Sequence, residues 1–318
     1  MARLVVLRGG HSMERDVSMV TGRRVAHALE RLGHEVHNLD IEENTTEKLM
    51  ELDPDAAFVC LHGIGGEDGT VQALLETLGI PYTGSGPLSS IRSMDKDYAK
   101  RAMFAAGVPT PPFRTFLRKA MHEMGAAAAL GPAADAIGYP LVVKPARQGS
   151  GLGLTKVEEP GALLEAVYEA FGYDGKILLE RWVTGTEMTA PILEPAGSEP
   201  RVLNLVEVRP RGGSYDFEAK YTPGATDFAI PAEIPADAAV RAEETALAAY
   251  RTLGCSDFGR IDMVLEGGTP WVLDANTIPG FTETSTLPLA AEAAGISFED
   301  LVETILDAAL QTEAPAKL

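Results

Sequence analysis

Two short segments carry the densest chemistry in this chain, Gly259-Arg260-Ile261-Asp262-Met263 and Leu273-Asp274-Ala275-Asn276. Side chains alternate between the faces of a strand, so Arg260 and Asp262 share one face of the first segment, and Asp274 and Asn276 share one face of the second. On neighbouring strands, Asp262, Asp274 and Asn276 offer the hard oxygen ligands that Mg2+ or Mn2+ takes, a few carboxylates completed by phosphate oxygens and water. Arg260 beside them would neutralise charge developing on a transferred phosphoryl group or a carboxyl oxygen. An ion-pair network on two edge strands would use the same residue types. The surrounding apolar residues and the turn Thr277-Ile278-Pro279-Gly280 favour the metal site.

A second element is the loop Arg147-Gln148-Gly149-Ser150-Gly151-Leu152-Gly153, with Lys144 just upstream at a strand end. Glycines let backbone N–H groups close on phosphate oxygens. A Walker loop would run Gly-Lys-Ser/Thr into a helix, whereas this loop runs into a strand and reads as a hairpin over a triphosphate. Glu180 and Glu187 flank Trp182 and Val183 at the end of another strand. They suit the amino group of adenine and a ribose hydroxyl, with the backbone of Arg181–Val183 reading the adenine edge; generic surface glutamates would look the same. Tyr215-Asp216-Phe217-Glu218-Ala219-Lys220-Tyr221 precedes a stretch rich in Pro, Gly, Thr and Asp, which suits a lid but also an exposed turn with a solvated lysine.

The elements that must position these groups follow from hydrophobic runs and turn signals. Leu4–Leu7 predicts a buried strand, Val17–Leu32 a helix ending at Gly33, Glu35–Leu39 a second strand and Ala56–Leu61 a third. Loops at the C-terminal ends of parallel strands are where such sheets bind ligands, and Gly9–Ser12 and His62–Gly69 occupy that place. Helices are expected over Val71–Leu78 and Asp95–Ala106, followed by a boundary at Pro109, Pro111 and Pro112. Ala126–Ala136 and Gly161–Phe171 read as helices, and Leu141–Lys144, Leu154–Val157 and Lys176–Arg181 as strands. Strands dominate from Gly185, with a long helix at Asp237–Leu253, strands at Phe258–Leu265 and Pro270–Ala275, and a last helix N-capped by Ser297. The expected class is α/β (α+β) in three units, residues 1–95, 96–184 and 185–318.

Composition bounds the function. A chain of 318 residues can bury a large core. Its net charge of −19 would repel a nucleic acid over most of the surface, whereas a nucleotide needs only a few local cations. No apolar stretch is long enough to cross a bilayer, and the segment from Met1 to Arg8 does not read as a signal peptide. Cys60 and Cys255 read as buried free thiols in a cytoplasmic protein.

Several motifs, in order along nearly the whole chain, resemble those of D-alanine–D-alanine ligases. They are Gly9-Gly10-His11-Ser12-Met13-Glu14-Arg15-Asp16-Val17-Ser18, Leu61-His62-Gly63-Ile64-Gly65-Gly66-Glu67-Asp68-Gly69-Thr70, Tyr82-Thr83-Gly84-Ser85-Gly86, Met94-Asp95-Lys96, Lys144-Pro145-Ala146-Arg147, Glu218-Ala219-Lys220-Tyr221 and Asn276-Thr277-Ile278-Pro279-Gly280-Phe281-Thr282. The resemblance implies a three-domain ATP-grasp fold with a parallel N-terminal sheet, and ATP with two Mg2+ or Mn2+ ions. The carboxylate of a first D-alanine would be phosphorylated and a second D-alanine's amine would attack the acyl phosphate, for peptidoglycan precursor synthesis. It further implies a cytoplasmic homodimer with no nucleic-acid or membrane partner.

By that resemblance Glu14 holds the first alanine's ammonium, positioned by Ser150 and Tyr221. Lys96, Lys144, Gly149 and Ser150 meet the ATP phosphates, with Lys220 reaching the γ-phosphate. Glu180, Arg181, Val183 and Glu187 hold the nucleoside. Arg260 and the Gly280 amide steady the oxyanion, Ser285 takes the second alanine's carboxylate, and His62 is either near the substrate or structural. The chain departs from the family where Asp274 replaces a usual glutamate. Gln148 and Gly151 stand for an acidic residue and a serine, Thr286 for a larger apolar residue, and Asp16 for a glutamate. Tyr221 argues against D-lactate as acceptor, while Thr286 leaves D-lactate, D-serine or another small amine as alternatives. A non-catalytic nucleotide-binding protein is the remaining one.

Overall fold

A computed structural model describes residues 1–212, 222 and 224–311. The chain begins with β1 (Arg3–Arg8), α1 (Arg15–Arg31), β2 (Glu35–Asp40), α2 (Thr45–Leu52), β3 (Ala56–Val59) and α3 (Thr70–Leu78). The strands are parallel in the order β2-β1-β3. Leu4–Leu7 and Ala56–Val59 are wholly buried, because packed elements cover both faces of a parallel sheet, so their sequences read as unbroken apolar runs. The loops after β1 and β3 therefore emerge at the same edge of the sheet, which is the first requirement for a shared site.

Two helices, α4 (Pro87–Met94) and α5 (Lys96–Ala105), lead to a second sheet. Asp95 caps α5 by accepting a hydrogen bond from the Asp97 amide at 3.1 Å. There follow β4 (Phe113–Leu117), α6 (Arg118–Glu123), α7 (Leu130–Ile137), β5 (Leu141–Pro145), β6 (Thr155–Val157), α8 (Leu163–Tyr173) and β7 (Lys176–Arg181). These strands form an antiparallel sheet in the order β4-β7-β5-β6. Ala134 of α7 and Val167, Ala170 and Phe171 of α8 cover it.

The third sheet runs β11-β10-β8-β12-β13, with β9 added on β8. Its strands are β8 (Thr186–Leu193), β9 (Arg201–Val202), β10 (Val206–Pro210), β11 (Thr226–Ala229), β12 (Phe258–Glu266) and β13 (Thr269–Asn276). α9 (Ala236–Leu253) lays Ala242, Ala246, Ala249 and Tyr250 against it. The chain then forms α10 (Thr286–Ala293) and α11 (Phe298–Gln311). α11 buries Leu301, Val302, Ile305 and Leu306 in one core with Leu4, Val6, Phe58 and Leu29 of the first unit. The expected cap is present: Ser297 Oγ accepts from the Asp300 amide at 3.1 Å. Among the described residues no helix is long and apolar enough to cross a membrane. Cys60 and Cys255 are free, and burial pushes both thiols up.

The mixed α/β class agrees with the sequence expectation. The differences are local. β3 stops at Val59, two residues before the expected end, and the alanine-rich stretch is a short 3-10 turn at Ala126–Ala129 followed by α7. α2, α4, α10 and β4 were not legible, being short elements without a long apolar stripe. Of α2 only Thr45 and Leu49 are buried, and α4 buries three serines where a helix-period search looks for apolar residues.

Phe281 links the first and third units. Its ring meets those of Phe58, Phe258 and Phe298 edge-on, with centroids at 5.9, 5.7 and 6.3 Å. Arg24 Nη1 donates to its carbonyl at 2.5 Å. Phe281→Ala should lower the unfolding free energy by about 3–5 kcal/mol. Urea denaturation checks this; a loss under about 1 kcal/mol would mean that the aromatic cluster does not hold the units together.

Candidate active site

β12 and β13 pair antiparallel with Asp262 opposite Asp274 and Arg260 opposite Asn276. A break in register between Asp262 and Met263 falls at this point, where a bulge re-aims side chains. Arg260, Asp262, Asp274 and Asn276 line one small cavity of about 60 Å3. The Arg260 guanidinium is bidentate on Asp262, Nε to Oδ1 at 2.7 Å and Nη2 to Oδ2 at 2.8 Å. Thr189 of β8 also donates to Asp262 Oδ1, at 2.8 Å. Lys96 Nζ lies 3.2 Å from Asp274 Oδ2 and donates to the Gln148 carbonyl at 2.9 Å, so it joins the acidic cavity to the glycine-rich loop.

The opposite wall comes from the loops of the first sheet. Glu14, at the start of α1, accepts a short hydrogen bond from the Ser150 hydroxyl. Gly149 passes so close that a Cβ there would come within 2.9 Å of Glu14 Oε2, so a side chain would push the loop off the carboxylate. Ser150 itself adopts a left-handed backbone, φ 56°, uncommon for a residue with a side chain. His62 is buried, and its Nδ1 donates to the Ile278 carbonyl at 3.0 Å, which leaves Nε2 to accept from Thr21 Oγ1 at 3.2 Å. Burial pushes its pKa down, so the ring is neutral and ties the wall of the cavity to the segment before Gly280.

At the third side, the Ser285 hydroxyl accepts from the Thr282 amide at 3.0 Å and pairs with Thr282 Oγ1 at 2.8 Å. A Cβ on Gly280 would lie 2.7 Å from Ser285 Oγ, so glycine is what lets these two groups face the same space. Ser285 is the N-cap of α10 without capping it through its side chain, which leaves the helix N-terminus open to an anion. The Thr286 hydroxyl is buried with no partner among the described residues.

A second, larger cleft of about 390 Å3 lies between the second and third sheets. Val142, Leu154, Val183, Val264 and Leu273 give it apolar walls, and Lys144, Glu180 and Glu187 its charged groups. Lys144 Nζ donates to Glu180 Oε1 at 3.0 Å. Burial pushes the Glu180 carboxyl up, but the ammonium groups of Lys100 and Lys144 more than offset this and hold it ionised. The side chain of Arg181 crosses to the third sheet, where Nη1 donates to Glu266 Oε2 at 2.8 Å and the guanidinium stacks on Trp271. The amides of Arg181 and Trp182 are taken by the carbonyls of Pro112 and Pro140, at 2.9 and 3.2 Å. Neither of these two amides is therefore left to face the cleft. Lys220 and Tyr221 lie outside the described residues.

Two residues, one lining the acidic cavity and one buried beneath the larger cleft, carried no role in the sequence reading. Glu67 is buried in the acidic cavity and accepts from the Gly63 amide at 2.6 Å. Burial first, and the nearby Glu14 charge second, push its carboxyl up to about 8. Lys100, fully buried, meets Glu180 Oε2 at 2.8 Å. The available signal for it was a lysine four residues after Lys96 on the same helix, among the apolar Ala99 and Met103.

The chain matches two family profiles, "D-ala D-ala ligase C-terminus" over residues 103–307 and "D-ala D-ala ligase N-terminus" over residues 42–85. It is 44% identical to the D-alanine–D-alanine ligase of Desulforudis audaxviator over 96% of this chain and 97% of that protein. Among solved structures, the D-alanine–D-alanine ligase of Bacillus anthracis superposes with a TM-score of 0.83 at 34% identity, covering 98% of both chains. The same enzyme complexed with ATP gives 0.81 at 32% identity, again over 98% of both. VanG D-Ala:D-Ser ligase of Enterococcus faecalis gives 0.81 at 30% identity, over 96% of this chain and 98% of that one.

Glu67 makes stability depend on pH with a definite sign. Its folded pKa lies above the unfolded value, so the folded state keeps a proton that the unfolded chain gives up. Stability is therefore lost as pH rises from the unfolded carboxyl value towards about 8. Thermal unfolding of the wild type should fall more between about pH 5 and pH 8 than that of Glu67→Gln, which keeps the shape without the titration. Parallel pH profiles for the two proteins would show that Glu67 is ionised throughout.

Proposed function

The chain belongs to the D-alanine–D-alanine ligase family, and on that premise we propose how its residues divide the work. It joins two D-alanines into D-alanyl-D-alanine, with ATP converted to ADP and phosphate through an acyl phosphate, in the supply of peptidoglycan precursors. The observation that carries the assignment of roles is a convergence. Glu14 of the first unit, Ser150 of the second and Arg260, Asp262, Asp274, Asn276 and Ser285 of the third meet at one cavity beside a nucleotide-sized cleft.

In this reading ATP lies in the larger cleft. Glu180, Glu187 and the backbone of Arg181 and Val183 hold the nucleoside, and Lys96, Lys144 and the Gly149 amide meet the phosphates, with Lys220 reaching the γ-phosphate. Glu14, oriented by Ser150 and Tyr221, takes the first alanine's ammonium, so the free carboxylate points at the γ-phosphoryl group. One carboxylate oxygen forms the new P–O bond and ADP leaves with the electron pair of the broken one. The second alanine, having lost a proton from its ammonium, attacks the acyl carbon, and Arg260 with the Gly280 amide faces the resulting oxyanion. Collapse of that adduct expels phosphate and leaves the peptide bond. Ser285 and the open N-terminus of α10 hold the second alanine's carboxylate.

The donor set also fits Mg2+ or Mn2+. Among the described residues no three His, Cys, Asp or Glu side chains gather closely enough to hold a metal alone. Asp262, Asp274 and the Asn276 amide would hold two ions only together with phosphate oxygens, as expected of a cation that arrives with the nucleotide. Such ions supply charge neutralisation on the transferred phosphoryl group. Asp274, one methylene shorter than glutamate, lies directly opposite Asp262 in the strand register. The three units 1–95, 96–184 and 185–318 would each contribute a sheet to the site, and family likeness further supports a cytoplasmic homodimer.

The test is a phosphate-release assay over a panel of D-amino and D-hydroxy acids with product masses recorded. D-alanyl-D-alanine should dominate over D-alanyl-D-lactate and D-alanyl-D-serine at neutral pH; a dominant depsipeptide would overturn the assignment. Ser285→Ala should raise the Michaelis constant for the second D-alanine by about ten- to a hundredfold, the size of a lost charge-assisted hydrogen bond. ATP and first-site constants should stay nearly unchanged, and a weakened ATP constant instead would remove Ser285 from the acceptor site.

A further inference from the structure

Lys100 has no place in the chemistry above, yet it is wholly buried. Its ammonium touches three acceptors from three parts of the fold. Glu180 Oε2 on β7 lies at 2.8 Å, Thr110 Oγ1 before β4 at 2.8 Å and the Val272 carbonyl on β13 at 3.3 Å. Thr110 gives its own proton to the Val272 carbonyl at 3.1 Å, so its lone pairs are what Lys100 meets. Of the three N–H donors of Lys100, two hydrogen-bond to Thr110 and the Val272 carbonyl. The contact with Glu180 is an ion pair rather than an aligned hydrogen bond. Lys144 reaches the other oxygen of the same carboxylate, at 3.0 Å. One buried anion is thus shared by two lysines, of which only Lys144 also lines the nucleotide cleft.

This arrangement matters once ATP arrives. If Lys144 turns from Glu180 to a phosphate, Glu180 is left buried, and a buried carboxylate without a counter-ion is strongly disfavoured. A chain with only Lys144 available would hold that lysine on Glu180 and oppose its transfer. We propose that Lys100 is a positioning residue for nucleotide binding: it keeps Glu180 ionised and in place, so that Lys144 is free to move to the phosphates of ATP. Lys100 is then a standing counter-charge beneath the cleft, and the Val272 carbonyl and Thr110 fix its position between the second and third sheets. The low pKa of Lys100, pushed down to about 8 by burial and partly restored by Glu180, agrees with a cation that is held in place by that one anion.

The proposal rests on the nucleotide-site reading given above, and the experiment separates the two. ATP binding is measured by calorimetry, beside steady-state rates, for wild type, Lys100→Met, Glu180→Gln and the double variant. Lys100→Met should weaken ATP binding by at least about tenfold while kcat at saturating ATP stays within about threefold. Because the lysine acts through Glu180, the double variant should bind ATP within about threefold of Glu180→Gln alone, a non-additivity that loss of packing does not produce. If Lys100→Met fails to fold, the comparison of Glu180→Gln with the double variant, which buries no orphan charge, decides the matter. Unchanged ATP affinity in Lys100→Met, or losses that add in the double variant, would overturn the proposal. A wild type that binds ATP but releases no phosphate with D-alanine would instead overturn the functional reading and leave this one standing.

Discussion

The site depends first on the antiparallel pairing of β12 with β13. Side chains alternate along both strands, so a slip of one residue would turn one strand's charged and amide side chains to the opposite face. The observed register sets Asp262 against Asp274 and Arg260 against Asn276, and β8, on the other side of β12, adds Thr189 to the same carboxylate. Two carboxylates facing each other would repel. Arg260, bidentate on Asp262, and Lys96, beside Asp274, offset that repulsion, which on the proposed reading would hold the pair in place for a cation that comes with substrate.

Charge is managed in the same way throughout. The chain carries a net charge of −19, yet its buried cations gather around the two cavities: Lys96, Lys100 and Lys144 are each less than a tenth exposed. Each is matched to a carboxylate, Lys96 to Asp274 and both Lys100 and Lys144 to Glu180, so none of these three charges is left without a counter-ion. On the proposed reading, a triphosphate entering this cleft would meet prearranged cations rather than the repulsion of the outer surface. The neutral His62 and the raised carboxyl of Glu67 complete the picture, since each reduces the charge that must be kept out of water.

Much of this was legible in the sequence, for identifiable reasons. The strands carrying Arg260, Asp262, Asp274 and Asn276 show a period of two, and β1 and β3 stand out as short apolar runs. Glycine-rich loops mark where backbone approaches something closely, as at Gly149 beside Glu14. What escaped were consequences of tertiary contact. Nothing near Lys100 in sequence reveals that Glu180, eighty residues on, will become its counter-ion, and nothing near Arg181 reveals that Pro112 will take its amide. The final helix reads as part of a C-terminal unit, but its apolar face is covered by the first sheet of the chain. Short helices such as α4 hide their buried faces in serines, which the periodicity of apolar residues cannot show.

The central claim is that a carboxylate in the small cavity is phosphorylated before it is attacked, and oxygen transfer tests this most directly. D-alanine labelled with 18O in its carboxyl group is incubated with unlabelled ATP, and the released phosphate is examined by mass spectrometry or 31P NMR. An acyl phosphate hands one carboxylate oxygen to the departing phosphate, so the account predicts one 18O in each phosphate formed with D-alanyl-D-alanine. Dipeptide accompanied by unlabelled phosphate would contradict it, because the carboxylate would then never have carried the phosphoryl group.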